Sequence, residues 1–249
     1  MKRVEIFKPW AVLVWLFIWQ AGALALDQQI LLVSPVQVML RLGELAVQSD
    51  FWGAVGFSAL RIMAGFLLGM VTGIVMAGFS ARHHIIEDLL APLMLAVKSI
   101  PVASFIILSL ILLSSRNLSV LISFLMVLPV IYSGILGGIR AMDRHMLEMA
   151  QLFRISTLRR VRYVYLPQIL PYFQAACVSA LGLCWKSGIA AEVIGMPAGS
   201  IGERLQLAKV YLDTPDLFAW TLVIVLISLF FERFFLIFLK WAAWYMERM

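Results

Sequence analysis

Six stretches of this chain, residues 10–26, 54–79, 91–113, 118–138, 173–193 and 217–239, are apolar over close to the length that a lipid bilayer demands. A helix needs about 20 mostly apolar residues to cross the hydrocarbon core, and each of the six reaches or nearly reaches that length. Composition agrees. Of 249 residues, 63% are hydrophobic and 14% are charged, whereas soluble domains keep roughly a quarter of their residues charged. The expected fold class is all-α, a polytopic membrane protein of about six transmembrane helices.

A net charge of +6 raises nucleic acid as a partner, but the placement of the cations answers it. With the N-terminus inside, the inner stretches hold Lys2, Arg3, Lys8, Arg82, Arg140, Arg144, Arg154, Arg159, Arg160, Arg162, Lys240 and Arg248. The outer stretches hold Arg41, Arg116, Arg204 and Lys209, with Arg61 near the outer end of the second span. Twelve against five is the bias that marks cytoplasmic loops. Both termini are then cytoplasmic, and the basic charge sets topology. Lys2 and Arg3, an apolar run and Ala21-Gly22-Ala23 or Ala23-Leu24-Ala25 also fit a cleavable secretory signal. The run is long for such a signal, so an uncleaved helix is expected.

Between the first two spans, Ser34 can cap a helix with Pro35 at its first position. Val36, Met39, Leu40, Leu42, Leu45 and Ala46 follow at amphipathic spacing, the pattern of a short helix lying on the outer surface. Cys177 and Cys184 would sit roughly 10 Å apart on a helix, too far for a disulfide. No metal-ligand spacing accompanies them, and they read as small buried apolar groups. No cofactor or metal is expected.

One stretch does not belong in a bilayer. Residues 140–172, between the fourth and fifth spans, carry Arg144, Arg154, Arg159, Arg160 and Arg162. Asp143 can cap a helix that starts at Arg144. Met142, Met146, Met149 and Phe153 recur at i, i+4, i+7 and i+11, one apolar face. Ser156-Thr157 offers a second cap, and a basic segment follows that Pro167 and Pro171 are expected to break. An ordinary basic loop with interfacial helices would look the same by these criteria.

Glu148-Met149-Ala150, then Val164 and Leu166-Pro167, resembles the EAA motif of permease subunits from ATP-binding cassette (ABC) importers. That motif reads Glu-Ala-Ala, three residues, Gly, nine residues, Ile, one residue, Leu-Pro. The spacing agrees throughout, with Met149 in place of the first Ala and Arg154 in place of the Gly. Ser34-Pro35-x-x-Val38, Leu60 to Phe66, Lys98-Ser99-Ile100-Pro101, Ala190 to Gly195 and Gly199 to Gly202 are similar to the nitrate/sulfonate/taurine branch of these permeases. Ser114-Ser115-Arg116-Asn117 departs from that branch, which commonly has a Trp-Phe-Gly-x-Gly loop there.

The resemblance implies a type I ABC importer (MetI-like) permease core over 34–249, preceded by an N-terminal transmembrane helix and the start of an outer loop in 1–33. It implies a cytoplasmic ABC ATPase dimer, an extracytoplasmic solute-binding protein, a second identical permease copy and a plasma (inner) membrane location as the setting. In that family the EAA segment is a coupling helix that docks on the ATPase, which assigns ATPase coupling to Met146, Glu148, Met149, Ala150, Phe153, Arg154, Leu166 and Pro167. Because Arg154 lacks the freedom of Gly at positive φ, the helix is expected to run through Arg154 and turn at Ser156-Thr157. The implied solute is small and polar or anionic, like nitrate, sulfonates or taurine, with a pyrimidine vitamin precursor or a riboflavin-like compound as the alternative.

An enzyme is disfavoured by the residues themselves. Ser133-Gly134 and Ser187-Gly188 lack the Gly-x-Ser-Gly nucleophile turn, and Lys98-Ser99 and Lys186-Ser187 lack the glycine of a P-loop. Any ATP must be handled by a partner. A secondary transporter driven by an ion gradient remains a rival, although such proteins usually carry internal repeats and none is evident. Gly65, Gly69 and Gly73 form a small-residue stripe suited to close helix packing, read as internal packing in preference to a dimer seam. Pro101 and Pro129 are expected to bend their helices. Lys98, Pro101, Lys186 and Glu192 are the candidate pathway residues. Lys186 lies roughly 19 Å into the fifth span, where a lysine costs about 2.5–3.5 kcal/mol and tends to face a cavity, a partner or a pathway. Snorkelling to the surface or pairing with another helix is the competing reading.

Overall fold

The computed structural model describes residues 8–26, 28 and 31–248, and every regular element among them is helical. Lys2 and Arg3, which contribute to the orientation argument, lie outside the described residues. The elements are α1 (Pro9–Leu26), α2 (Pro35–Ala46), α3 (Ser49–Arg82), α4 (His84–Ser99), α5 (Val102–Leu112), α6 (Leu118–Arg140), α7 (Arg144–Leu152), α8 (Thr157–Arg160), α9 (Leu166–Gly195), α10 (Ile201–Val210) and α11 (Thr214–Arg248). A 3₁₀ turn, Ser115–Asn117, precedes α6, and a π-helical turn, Val161–Tyr165, joins α8 to α9.

α3, α6 and α9 form the centre of the bundle. Helices in lipid gain little from hydrophobic exclusion and associate through close packing, so small residues mark their seams. A Cβ placed on Gly65 would collide with the Val120 carbonyl and stand 2.7 Å from Ser123 Cβ. On Gly69 it would stand 2.8 Å from Val127 Cβ, and on Gly73, 3.0 Å from Ile131 Cβ. The stripe is internal packing between α3 and α6, as expected. The register of these pairs makes α3 and α6 parallel. On the other side of α6, Gly134 meets Ala176, Gly138 meets Tyr172, and Ser123 donates to the Cys184 carbonyl at 3.2 Å. That register makes α9 antiparallel to α6. The C-terminal ends of α3 and α6 and the start of α9 therefore share one end of the bundle, with α7 in the connection there and α10 at the opposite end. Cys177 and Cys184 are free and buried inside this packing.

The short helix at 35–46 forms as expected. Ser34 Oγ accepts from Gln37 N at 3.3 Å and Gln37 Oε1 accepts from Ser34 N at 3.4 Å, a reciprocal capping box. Arg41 ties α2 to α11 through Asp216 at 2.5 Å and also bonds Glu44 at 2.7 Å. These two carboxylates, Asp216 first, push the Arg41 guanidinium above its ordinary range.

The count of about six spans is approximate. Four helical stretches, Ser49–Arg82, Ser115–Arg140, Val161–Gly195 and Thr214–Trp241, are long and apolar enough to cross a membrane. α1 is a shorter apolar helix, Trp10–Leu26. The segment read as a span over 91–113 is a broken pair, α4 and α5 meeting at 103°. Ile100, forced towards extended backbone by the proline after it, has φ −75° and ψ 130° and ends α4. Pro129, by contrast, is buried within a continuous α6, clamped in the packed centre between α3 and α9. Pro167 and Pro171 do not break the chain either. Pro167 occupies the first turn of α9, where a missing N–H costs nothing, and Pro171 stays within the helix.

Candidate functional site

The connection at the α6/α9 end carries the first candidate surface. Asp143 caps α7, its Oδ1 accepting from His145 N at 2.9 Å. Ala150 is the residue of α7 that packs inward, and Met146, Met149, Leu152 and Phe153 are exposed, Leu152 at 81% and Phe153 at 71%. Leu152 extends the apolar face beyond the residues singled out in sequence; its spacing of three from Met149 was the available signal. Glu148 is exposed beside this face, and Pro167 is exposed in the first turn of α9 with Leu166 half-buried beside it.

Arg154 overturns the expected path of the chain. α7 ends at Leu152, and Arg154 has φ 48°, in the left-handed region. Arg154 N donates to Gln151 O at 2.9 Å and Ile155 N donates to Ala150 O at 3.0 Å. These are the paired bonds of a Schellman closure, which satisfies helix-end carbonyls and places the residue after the cap at positive φ. Arg154 therefore performs the turn that Gly performs in the EAA pattern. Its exposed side chain permits this, at a backbone cost of about 1–2 kcal/mol.

The broken span carries the second surface. Lys98, in the last turn of α4, is exposed, and its Nζ donates to Ser133 Oγ of α6 at 3.1 Å. Ser133 in turn donates to the Pro129 carbonyl. Pro101 is exposed at the break itself and precedes α5, which leaves α4 at 103°. Lys186 is exposed on α9, on a face shared with Ala175, Ser179 and Leu183. It lies nine residues from the end of α9 at Gly195, about 13 Å. Ser133 lies about 10 Å from the opposite end of the bundle. The two lysines thus stand at different depths on exposed faces.

Glu192, named with them in the sequence reading, is elsewhere. It is 0% exposed, and its carboxylate bonds Ser58 of α3 at 2.6 Å. Ser58 is 134 residues away in the chain, and nothing in the local sequence signals the pairing.

Residues 65–243 match the family described as binding-protein-dependent transport system inner membrane component. The chain belongs to this family. Among curated relatives, the taurine transport system permease protein TauC of Escherichia coli (strain K12) is 27% identical over 220 residues, 86% of this chain and 80% of TauC. A Bacillus subtilis (strain 168) permease protein named for aliphatic sulfonates transport, SsuC, is 26% identical over 223 residues, 87% of this chain and 79% of SsuC. The nitrate import permease protein NrtB of Synechococcus elongatus is 23% identical over 212 residues, 79% and 75% of the two chains. The chain is an ABC importer permease of the nitrate/sulfonate/taurine branch, a multi-pass transport subunit and not an enzyme. The ion-gradient alternative is set aside.

Proposed function

We propose that this permease imports a small anionic solute of the sulfonate, taurine or nitrate kind, with both termini and α7 on the cytoplasmic side. A cytoplasmic ATPase dimer docks on α7, a solute-binding protein delivers the solute at the α10 end, and two copies of the chain enclose the pathway. The permease supplies no chemistry. It supplies two arrangements, facing out and facing in, whose balance the partners shift.

The observation that carries this reading is the apolar face of α7, exposed outside the spans in a chain of this family. Glu148, Met149 and Phe153 are the ATPase-contacting residues in this reading; Ala150, Arg154, Leu166 and Pro167 hold the shape of the segment. Lys98 and Lys186 support the anionic solute. Each is a lysine on an exposed face within the spans, where an unneeded cation is costly, and the start of α5 brings the positive end of a helix dipole to the break.

Uptake of radiolabelled taurine, an alkanesulfonate and nitrate by cells carrying the chain and its partners tests the reading. Uptake of one of these anions should stop on ATP depletion and survive an uncoupler. Failure to import any of the three, with import of a neutral pyrimidine instead, would replace the substrate class.

A further inference from the structure

At the end of the bundle away from α7, Glu192 is shut inside the subunit. Its Oε2 accepts from the Ser58 hydroxyl of α3 at 2.6 Å and from Gly202 N, in the first turn of α10, at 3.4 Å. Ser58 Oγ itself accepts from Ile201 N at 2.9 Å. The first two amides of α10 therefore end, directly or through Ser58, on this carboxylate. Such amides have no partner in their own helix and carry the positive end of its dipole, and a buried donor or acceptor left unpaired is costly.

The contact is close enough to depend on glycine. A Cβ on Gly202 would collide with Glu192 Cβ and stand 2.5 Å from Val193 N. Among the described residues no cation forms an ion pair with Glu192. Its Oε1 has no hydrogen-bond partner, and neither does the equally buried Ser119 hydroxyl in the first turn of α6. A buried polar cluster is a poor device for merely holding a helix down, since replacing the bonded partners by apolar groups of the same shape can be nearly neutral or stabilising. A directional bond does something apolar packing does not. It fixes one alignment of three helices and leaves one oxygen of Glu192, Oε1, unused in it.

We infer that Glu192 is a positioning residue for transport, the point through which displacement of α10 is passed to α3 and α9. Its carboxyl group has two arrangements, one bonded to Ser58 and the α10 amides, and one in which those bonds are released as α10 moves. The inference rests on the import reading, in which a solute-binding protein meets the α10 end.

The test uses the assembly of permease, ATPase and solute-binding protein in liposomes, with Glu192→Ala, Glu192→Gln and Ser58→Ala. The ratio of binding-protein-stimulated to basal ATP hydrolysis should fall about tenfold in Glu192→Ala, about the worth of one buried hydrogen bond. Ser58→Ala and Glu192→Gln should fall less. Amide hydrogen exchange over residues 199–205 should accelerate in all three while that of mid-α6 stays unchanged. Two results overturn the proposal: an unchanged ratio despite faster exchange, or stimulated and basal rates falling together, the mark of an unstable subunit alone. If the wild-type assembly shows no stimulation by its binding protein, the import reading itself fails. That failure is visible without any variant.

Discussion

Two exposed faces of this bundle differ in a way that exposure alone conceals. On α11 the open side chains include Val225, Leu226, Phe230, Phe234, Ile237 and Phe238. On α9, between Tyr172 and Ile194 (both also open), they are Ala175, Ser179, Leu183 and Lys186. The first face is mostly large and apolar, as lipid tails require, with Arg233 also exposed among its aromatic side chains. The second has smaller side chains and carries a serine and a lysine at its centre, and the cation would be a costly lipid contact. The same distinction separates α7, whose Met, Leu and Phe side chains are open although it lies in a polar, Arg-rich connection outside the spans. In a membrane protein, an exposed residue that suits its solvent needs no explanation. One that does not suit it points to a partner or a pathway.

The comparison can be broken most severely at α7. Met149→Asp, or Glu148→Arg, should abolish uptake and stimulated ATP hydrolysis while the chain still inserts. An unpaired charge pressed into an apolar contact costs at least a few kcal/mol. Full uptake by either variant at normal expression would remove α7 from the coupling role.

The next largest effect contrasts the two faces directly. Phe234→Lys on α11 should cost about 2.5–3.5 kcal/mol of insertion energy and lower the yield of folded protein in membranes. Ser179→Lys on α9 should cost much less if that face meets water or a partner. Equal losses of folded yield, read by size-exclusion profile, would make both faces lipid-exposed.

Lys186→Met sharpens the same contrast without disturbing the fold. Thermal stability should hold or rise, because a cation leaves the span, while uptake of the anion falls several-fold and stimulated ATP hydrolysis persists. Undiminished uptake would leave Lys186 with a structural part only.

The smallest effect concerns Arg154. Glycine there removes a left-handed strain of about 1 kcal/mol and gives back part of it through greater freedom of the unfolded chain. Arg154→Gly should therefore leave the thermal midpoint unchanged or slightly raised, with transport intact. A marked loss of stability would show that the arginine side chain, and not the turn, is what the segment requires.

Much of this was legible along the chain. The helical class, the Ser34-Pro35 start of α2, the Asp143 cap, the Gly65/Gly69/Gly73 seam and the apolar face of α7 all depend on interactions within about one turn or on a repeat along one helix face. Such patterns are written locally, and the bilayer sharpens them by requiring long apolar runs. Other features were settled only when distant segments met. Pro101 breaks its helix and Pro129 does not, because α6 is clamped between α3 and α9 while the α4–α5 junction is open on one side. Arg154 turns left-handed because closing the helix-end carbonyls of α7 outweighs the steric cost of its Cβ. Glu192, itself one of the candidate pathway residues, is buried because Ser58 and the start of α10 converge on it from 134 and 10 residues away. Local chemistry chose the helices, and long-range packing decided which polar groups they hide.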